Sequence, residues 1–432
     1  MSANNLADNL VLTPYWWDDA PRPKLSPVDL PGTVDVAVVG SGYTGLSAAL
    51  DLARSGLSVL VIDAGDPGSG ASSRNTGSMG RTFRHSFSSL LKSFGPERAV
   101  AVYKEVAGAF AYTSGLIERE RIDCKFTRSG RFTGAASAKH YEAIAKEVEN
   151  KSKHLSTTEI LVPQAKQNEE IGFGRYYGGL VIPDVGTIHP GHYHLGLLSR
   201  VREAGATIAA NTRVTRVHRD ARGFIVSTSR GAINARQVVL ATNGYTEGVS
   251  RYLQRRVIPF PAFIAATEPV SESIIRDVLP GRRVFQETKN NPFFMRLSPD
   301  GSRFLFGALA GSSPRDLRRT ASKLHHELAS RVPQLAQTKI SHIWTGKCAA
   351  TFSIYPHIGV HDGIHFAMGY CFAGISMGTY LGHKVAQRLL GTKDASTVFD
   401  TVPFETRPYH WGKPWFVPIA AGLMNWKDRK VS

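Results

Sequence analysis

The sequence predicts an α/β fold built around a parallel sheet, and three observations predict it. Residues 34–39 read VDVAVV, a short β-branched run of the kind buried on both faces of such a sheet. The turn GSGYTG follows at once and leads into LSAALDLARSG, where Leu46, Ala49, Leu50 and Ala53 recur at helical spacing until Gly56. LSVLVID then supplies a second apolar strand that ends on Asp63. Strand, helix and strand in this order form a βαβ unit with Gly40, Gly42 and Gly45 in its first turn.

Each residue type in that unit has a chemical reason. Gly40 permits the tight turn, Gly42 brings backbone amides close to a pyrophosphate, and Gly45 lets the helix pack on the strand. The phosphate then sits on the positive helix N-terminus, so Gly40, Gly42, Tyr43, Thr44 and Gly45 are the expected cradle. Asp63, 23 residues after Gly40, is placed to accept hydrogen bonds from a ribose. A carboxylate there disfavours a ribose 2′-phosphate, which leaves FAD or NAD.

Composition narrows the class further. The 432 residues allow two to four domains, and 42% apolar with 20% charged residues excludes a disordered or fibrous chain. Fifty-two Lys and Arg against 35 Asp and Glu give a net charge of +17, yet no run of five basic residues marks a nucleic-acid tail. Cys124, Cys348 and Cys371 are odd in number and widely spaced, so they form neither a disulfide framework nor a zinc knuckle. The start lacks a basic segment followed by an apolar one, and nowhere do 18 apolar residues run together. A cytoplasmic protein with no membrane insertion and no nucleic-acid partner is expected.

The segment after Asp63, AGDPGSGASSRNTGSMG, decides between the cofactors. It resembles the GxGAS-x-RN-x-G loop of FAD enzymes of the D-amino acid oxidase family, which wraps the pyrophosphate and flavin. The landmarks YWWDD at 15–19, ATNGYT at 241–246, FLFGA at 304–308, YPHIG at 355–359 and GKPWF at 412–416 resemble the γ-glutamylputrescine oxidase branch of that family, near sarcosine oxidase. The resemblance implies a Rossmann-type FAD-binding domain of the GR2-like kind, with an inserted α+β substrate domain on an antiparallel sheet. It assigns FAD contacts to Ala71, Ser72, Arg74, Asn75, Gly77 and Ser78 in the loop, and to Val214 against the adenine. Thr242 and Asn243 belong near the pyrophosphate, and Gly374, Ile375, Ser376, Met377 and Gly378 begin the helix that faces the flavin.

The expected organisation is an N-terminal arm at 1–33 and a discontinuous FAD domain at 34–120, 189–249 and 346–395. The substrate domain comprises 121–188 and 250–345, and the tail 396–432. Competing signals lose on context. Gly374-Ile-Ser376-Met-Gly378 matches a hydrolase GxSxG, but the remaining chain has no room for the strands that carry the partner acid and His. His189, His192 and His194 have no Cys or carboxylate within a few residues, so no metal is expected. Gly172-Phe-Gly174-Arg-Tyr-Tyr-Gly178 lacks the preceding strand and following helix of a second nucleotide site. The reductant is therefore the substrate itself.

The resemblance carries further to the reacting centre. Gly80-Arg81-Thr-Phe-Arg84-His85 looks like the R-x-x-R-H stretch of sarcosine oxidase, which assigns Arg81 and Arg84 to the flavin and to a substrate carboxylate. That enzyme's carboxylate-binding lysine is missing after Phe372-Ala-Gly374, so Arg296 and Lys347 are expected to substitute. His357, in YPHIG, belongs near the flavin with a proton transition near physiological pH. Cys348 aligns with a cysteine that carries the flavin covalently, but noncovalent FAD is expected, because Lys347 and Cys348 as strand neighbours point to opposite faces. The expected activity is oxidation of a secondary amine or N-substituted amino acid, iminodiacetate-like or opine-like, by hydride transfer to flavin N5, imine hydrolysis and reoxidation by O2 to H2O2. The alternatives are a dehydrogenase serving a quinone or protein acceptor, and a non-catalytic flavin-binding protein. A monomer is expected.

Overall fold

The computed structural model describes residues 5–81, 83–308 and 316–429. The ends of the expected arm and tail, 1–4 and 430–432, and 309–315 of the expected substrate domain lie outside the described residues.

Alternation explains why β1 (Thr33–Val39) sits inside a sheet. Val34, Ala37 and Val39 point into one apolar cluster and Val36 and Val38 into another, so both faces are buried. α1 (Tyr43–Arg54) follows, Gly56 turns the chain at φ +83°, and β2 (Val59–Ile62) pairs parallel to β1. α2 (Phe87–Arg119) is broken at Gly95, where the backbone is non-helical. α3 (Pro190–Glu203) opens with proline at N1, and the His189 side chain caps it by accepting from the His192 amide. β3 (Gly231–Leu240) pairs parallel to β1 on its other side. The sheet order is Val214–Asp220, Gly223–Thr228, β3, β1, β2, Thr207–Ala209, with Ile364–Met368 added parallel to the end of β3.

The second sheet has nine strands. β4 (Ile340–Thr351) lies between Leu6–Val11 and Val257–Thr267, and the order continues through Phe304–Ala308, Phe294–Leu297, Val284–Glu287, Arg131–Gly134 and Gly179–Ile182 to Ile160–Val162. It is antiparallel except where Leu6–Val11 meets β4 and Val284–Glu287 meets Arg131–Gly134. Phe132, Phe263, Phe285, Phe304 and Phe306 fill its core, covered by helix Leu317–Arg331. This is the expected combination of a Rossmann-type domain with an antiparallel insert.

α4 (Gly374–Leu389) crosses α1 closely. A Cβ on Gly382 would fall 2.3 Å from the Thr44 carbonyl, and one on Gly378 3.2 Å from Thr44 Oγ1, so the glycines admit the neighbouring helix. α5 (Val417–Arg429) ends the described chain. Among the described residues no helix is long and apolar enough to cross a membrane.

Candidate active site

The βαβ turn has the shape of a phosphate cradle. Gly40 takes φ +104°, which side chains rarely adopt, and a Cβ there would meet the Ala241 carbonyl oxygen at 2.9 Å. A Cβ on Gly42 would sit 2.9 Å from Ser72 Oγ, and one on Gly45 only 1.9 Å from the Gly40 carbonyl oxygen. The N-terminus of α1 therefore faces the 65–78 loop with no side-chain cap from Gly42, and Ser72 Oγ accepts from the Tyr43 amide at 3.1 Å. At the end of β2, Asp63 Oδ2 accepts from the Ser41 amide (2.8 Å) and hydroxyl (2.5 Å), while Oδ1 accepts from the Gly65 amide (3.0 Å). Helix terminus, carboxylate and loop converge, and this donor set suits an anionic dinucleotide.

Most polar side chains of the loop are used to hold its shape. Asn75 Nδ2 donates to the Ala71 and Ser72 carbonyls and to Tyr43 Oη, and its Oδ1 accepts from the Gly77 amide. Arg74 donates to the Ser69 and Thr345 carbonyls and lies over Trp17, 4.5 Å from the ring centre. These two residues staple the loop to itself and to β4. Gly77 takes φ +70° because a Cβ would strike the Ile188 carbonyl at 2.3 Å, and Ser78 pairs with Thr187.

The N-terminal segment YWWDD supplies a strap that sequence reasoning treated only as a landmark. Trp16 is fully buried and donates from Nε1 to the Asn75 carbonyl at 2.8 Å; Trp17 donates to Ser73 Oγ at 2.9 Å. Behind the strap, Arg22 donates to His194 Nδ1 (3.1 Å), so the proton of this imidazole is on Nε2, where it donates to the Ser41 carbonyl (2.8 Å). That relay fixes the cradle from below. Arg22 and His194 both lie far from the turn in sequence, so no local pattern announces the relay.

The remaining expected cofactor contacts separate into two groups. Asn243 takes φ +43°, and its Oδ1 accepts from the Gly369 amide at 2.9 Å, tying the exit of β3 to the loop before α4. Thr242 Oγ1 bonds Thr246 Oγ1 at 2.5 Å, and Val214 is buried at the start of its strand. In that loop Cys371 and Phe372 take φ of +41° and +72°, consecutive strained residues at the start of α4. Beyond Gly374, however, Ile375 and Met377 point into the apolar core and Gly378 packs on Thr44 and Tyr370. The side chains of Ile375 and Met377 and the bare face of Gly378 thus serve helix packing, and only backbone groups of this turn face away from that core. Ser376 is buried with its hydroxyl donated to the Gly80 carbonyl at 3.2 Å, which disposes of the hydrolase reading.

Among the expected substrate residues the structure leaves Arg84 distinctive. Arg81 is paired with Asp184 at 2.6 Å, and Lys347 with Glu247 at 2.5 Å. Arg296 is buried and donates to the Leu297, Thr76 and Ile188 carbonyls, against the Trp16 ring. Its Nε and Nη1 are thus committed to holding the loop. Arg84 is exposed, makes no hydrogen bond or ion pair with the described residues, and lies near enough to Cys371 to oppose the upward push of burial on that thiol. Burial pushes the Cys348 thiol up to about 12, and Lys347 points to Glu247 instead of activating it.

Asp19 corrects the reading of the histidine cluster, since a carboxylate distant in sequence does join it. His189 Nε2 lies 2.9 Å and His192 Nε2 3.3 Å from its two oxygens. His189 Nδ1 accepts from the His192 amide, so its Nε2 carries the proton and donates to Asp19, leaving no lone pair toward a metal ion.

His357 departs from expectation too. It is buried, stacked on Phe404 at 4.2 Å and bonded to Ser353 Oγ, and burial pulls its pKa down to about 4, well below physiological pH. Burial also holds His189 at about 4 and, with Arg22 adding, His194 at about 3. The unfolded imidazoles take up protons near pH 6.5 while the folded ones refuse them, so stability is complete above that pH and falls as pH drops toward 4. Between pH 7.5 and 5 each contributes a loss of roughly 2 kcal/mol. Urea unfolding at both pH values should show the loss, reduced by roughly 2 kcal/mol in His357→Gln; equal stability at both would refute it.

A nucleotide-cradling βαβ turn joined to a largely antiparallel nine-stranded sheet is the frame of a dinucleotide-binding protein. Residues 35–388 match the FAD dependent oxidoreductase (DAO) family, and the chain belongs to that family. It is 29% identical over 396 residues to γ-glutamylputrescine oxidoreductase of Escherichia coli (strain K12), covering 90% of this chain and 91% of that protein. Glycine oxidase of Geobacillus kaustophilus (strain HTA426) is 27% identical over 389 residues, 88% of this chain and 98% of its own length. The crystal structure of glycine oxidase from that species shares the fold with a TM-score of 0.73 at 22% identity, covering 88% of this chain and all of that one.

Proposed function

We propose that the protein oxidises a secondary amine or N-substituted amino acid bearing a carboxylate, with oxygen as final acceptor. The family membership and the names of its relatives support an amine or amino acid as reductant. The observation that carries the carboxylate is Arg84, a guanidinium without a protein partner among the described residues beside the strained loop that begins α4. FAD, when bound, supplies the hydride acceptor and the route of electrons to oxygen. The amides of Gly42, Thr44 and Gly45, with Ser72 and Asp63, would hold it, and noncovalent retention agrees with the inert Cys348 thiol.

Arg84 orients the substrate by bidentate hydrogen bonds to its carboxylate, which places the C–H beside nitrogen at a fixed position. An amine that binds neutral needs no protein base, in keeping with a His357 that stays unprotonated and packed on Phe404. Of the cations expected here, Arg81, Arg296 and Lys347 already have protein partners. One free guanidinium favours a substrate with one carboxylate next to nitrogen over one with two.

Peroxide release from N-methyl amino acids and from matched uncharged amines tests this. Arg84→Ala should raise KM for the acids roughly 10- to 100-fold, with kcat within a few-fold, because one charge-assisted pair is lost. An unchanged KM sinks the role. Rapid reoxidation in air after anaerobic reduction is expected; slow reoxidation would reassign the protein as a dehydrogenase.

A further inference from the structure

α5 is docked in the reverse of the usual orientation. A surface helix normally turns its apolar stripe inward and its charges outward. Here the inward side is polar: Asp428, only 7% exposed, accepts from the Asn290 amide (3.0 Å), Asn290 Nδ2 (2.7 Å) and the Asn291 amide (3.0 Å), and Asn425 Oδ1 accepts from Asn291 Nδ2 (2.9 Å). The outward side is apolar. Ile419 is 58% and Leu423 57% exposed, with Trp426 at 54%, and Trp411 and Trp415 just before the helix are each 62% exposed. At helical pitch, Ile419, Leu423 and Trp426 fall within a sector of about 60°.

Cations border this stripe. Lys413 and Lys427 are exposed, and the Arg255 and Arg251 guanidiniums lie 4.4 and 5.8 Å from the Trp411 ring. From residue 408 to 432 the sequence holds Lys413, Lys427, Arg429 and Lys430 against one acid, Asp428, which is the buried anchor. Thirteen residues are too few to span a bilayer, and exposed Trp with flanking Lys and Arg matches the polarity gradient of a lipid headgroup layer.

We propose that the face formed by Trp411, Trp415, Ile419, Leu423 and Lys427 docks the enzyme on an anionic lipid surface, with α5 lying in the plane of the headgroups. Charge selects this occupant. A second copy would bring the same cations against themselves on a chain of net charge +17, whereas an anionic leaflet neutralises them. The proposal is independent of the amine reading, because it concerns where the protein sits and not what it oxidises.

Sedimentation of the holoenzyme with vesicles tests it. At about 0.1 M salt the protein should bind vesicles of phosphatidylcholine with about 30% phosphatidylglycerol at least 10-fold more than phosphatidylcholine alone, and release at about 1 M salt. Trp415→Ser with Leu423→Ser, and separately Lys413→Glu with Lys427→Glu, should each cut binding at least 10-fold while the flavin spectrum stays that of the wild type. Absence of binding to the anionic vesicles, or undiminished binding by both variants, overturns the proposal. So does a wild-type dimer in sedimentation velocity that Trp415→Ser with Leu423→Ser converts to monomer, which would make the face a contact between copies.

Discussion

Gly45→Ala is expected to purify without flavin. The added Cβ would lie 1.9 Å from the Gly40 carbonyl oxygen and 3.2 Å from Val38 Cγ1, and the first of these is backbone that no rotamer change can move. Either α1 slides along β1 or the turn opens, and both misplace the amides that face the 65–78 loop. A displacement of this kind costs about 3 kcal/mol or more, so flavin retention should fall roughly 100-fold. Gly56→Ala is the control, since it also sits at positive φ (+83°) but has nothing within 4 Å of the added carbon. It should lose only about 1 to 2 kcal/mol of stability and remain yellow. The ratio of visible to protein absorbance after purification decides the matter, and a yellow Gly45→Ala would show that the turn does not hold the flavin.

Trp16→Ala should have the second large effect. The side chain is wholly buried, packs edge-on against His189 and Trp344 at 5.0 and 6.4 Å, carries Arg296 over its ring and donates to the Asn75 carbonyl. Its removal leaves a void costing about 3 to 5 kcal/mol, and frees the strap from the loop it pins. Trp16→Phe keeps most of the packing and gives up the hydrogen bond, a loss of about 1 kcal/mol from that bond. Thermal unfolding with parallel detection of released flavin fluorescence should place Ala far below Phe, with flavin leaving before the global transition. Equal melting of the two variants would show that Trp16 does not secure the loop.

The βαβ unit was legible because every contact that defines it is local: alternation in VDVAVV, helical spacing after Gly45 and an acid at the end of β2 lie within one stretch of chain. The antiparallel insert was legible only through resemblance, because its strands pair across long separations, as Val257–Thr267 does with β4. Side-chain roles were the least legible. The sequence displays Arg296 and Lys347 as cations but not the carbonyls and the Glu247 carboxylate that occupy them. It displays Ser376 and Gly378 beside Gly374, but which side of α4 meets Thr44 depends on how two distant helices cross. Asp19 and the histidines at 189 and 192 are likewise united only by the docking of the strap on α3.

The pairing of Leu6 with Ile340, and of the Trp16 ring with Trp344, sets an order of events during synthesis. Leu6–Val11 has no partner in its sheet until residue 340 has left the ribosome, so it is placed only after the strands between them have been made. The Rossmann core, with most of its strands already complete, precedes it with an open loop. The strap over the 65–78 loop is thus closed by a residue far downstream, so Trp344 rather than the loop itself decides when that closure is complete.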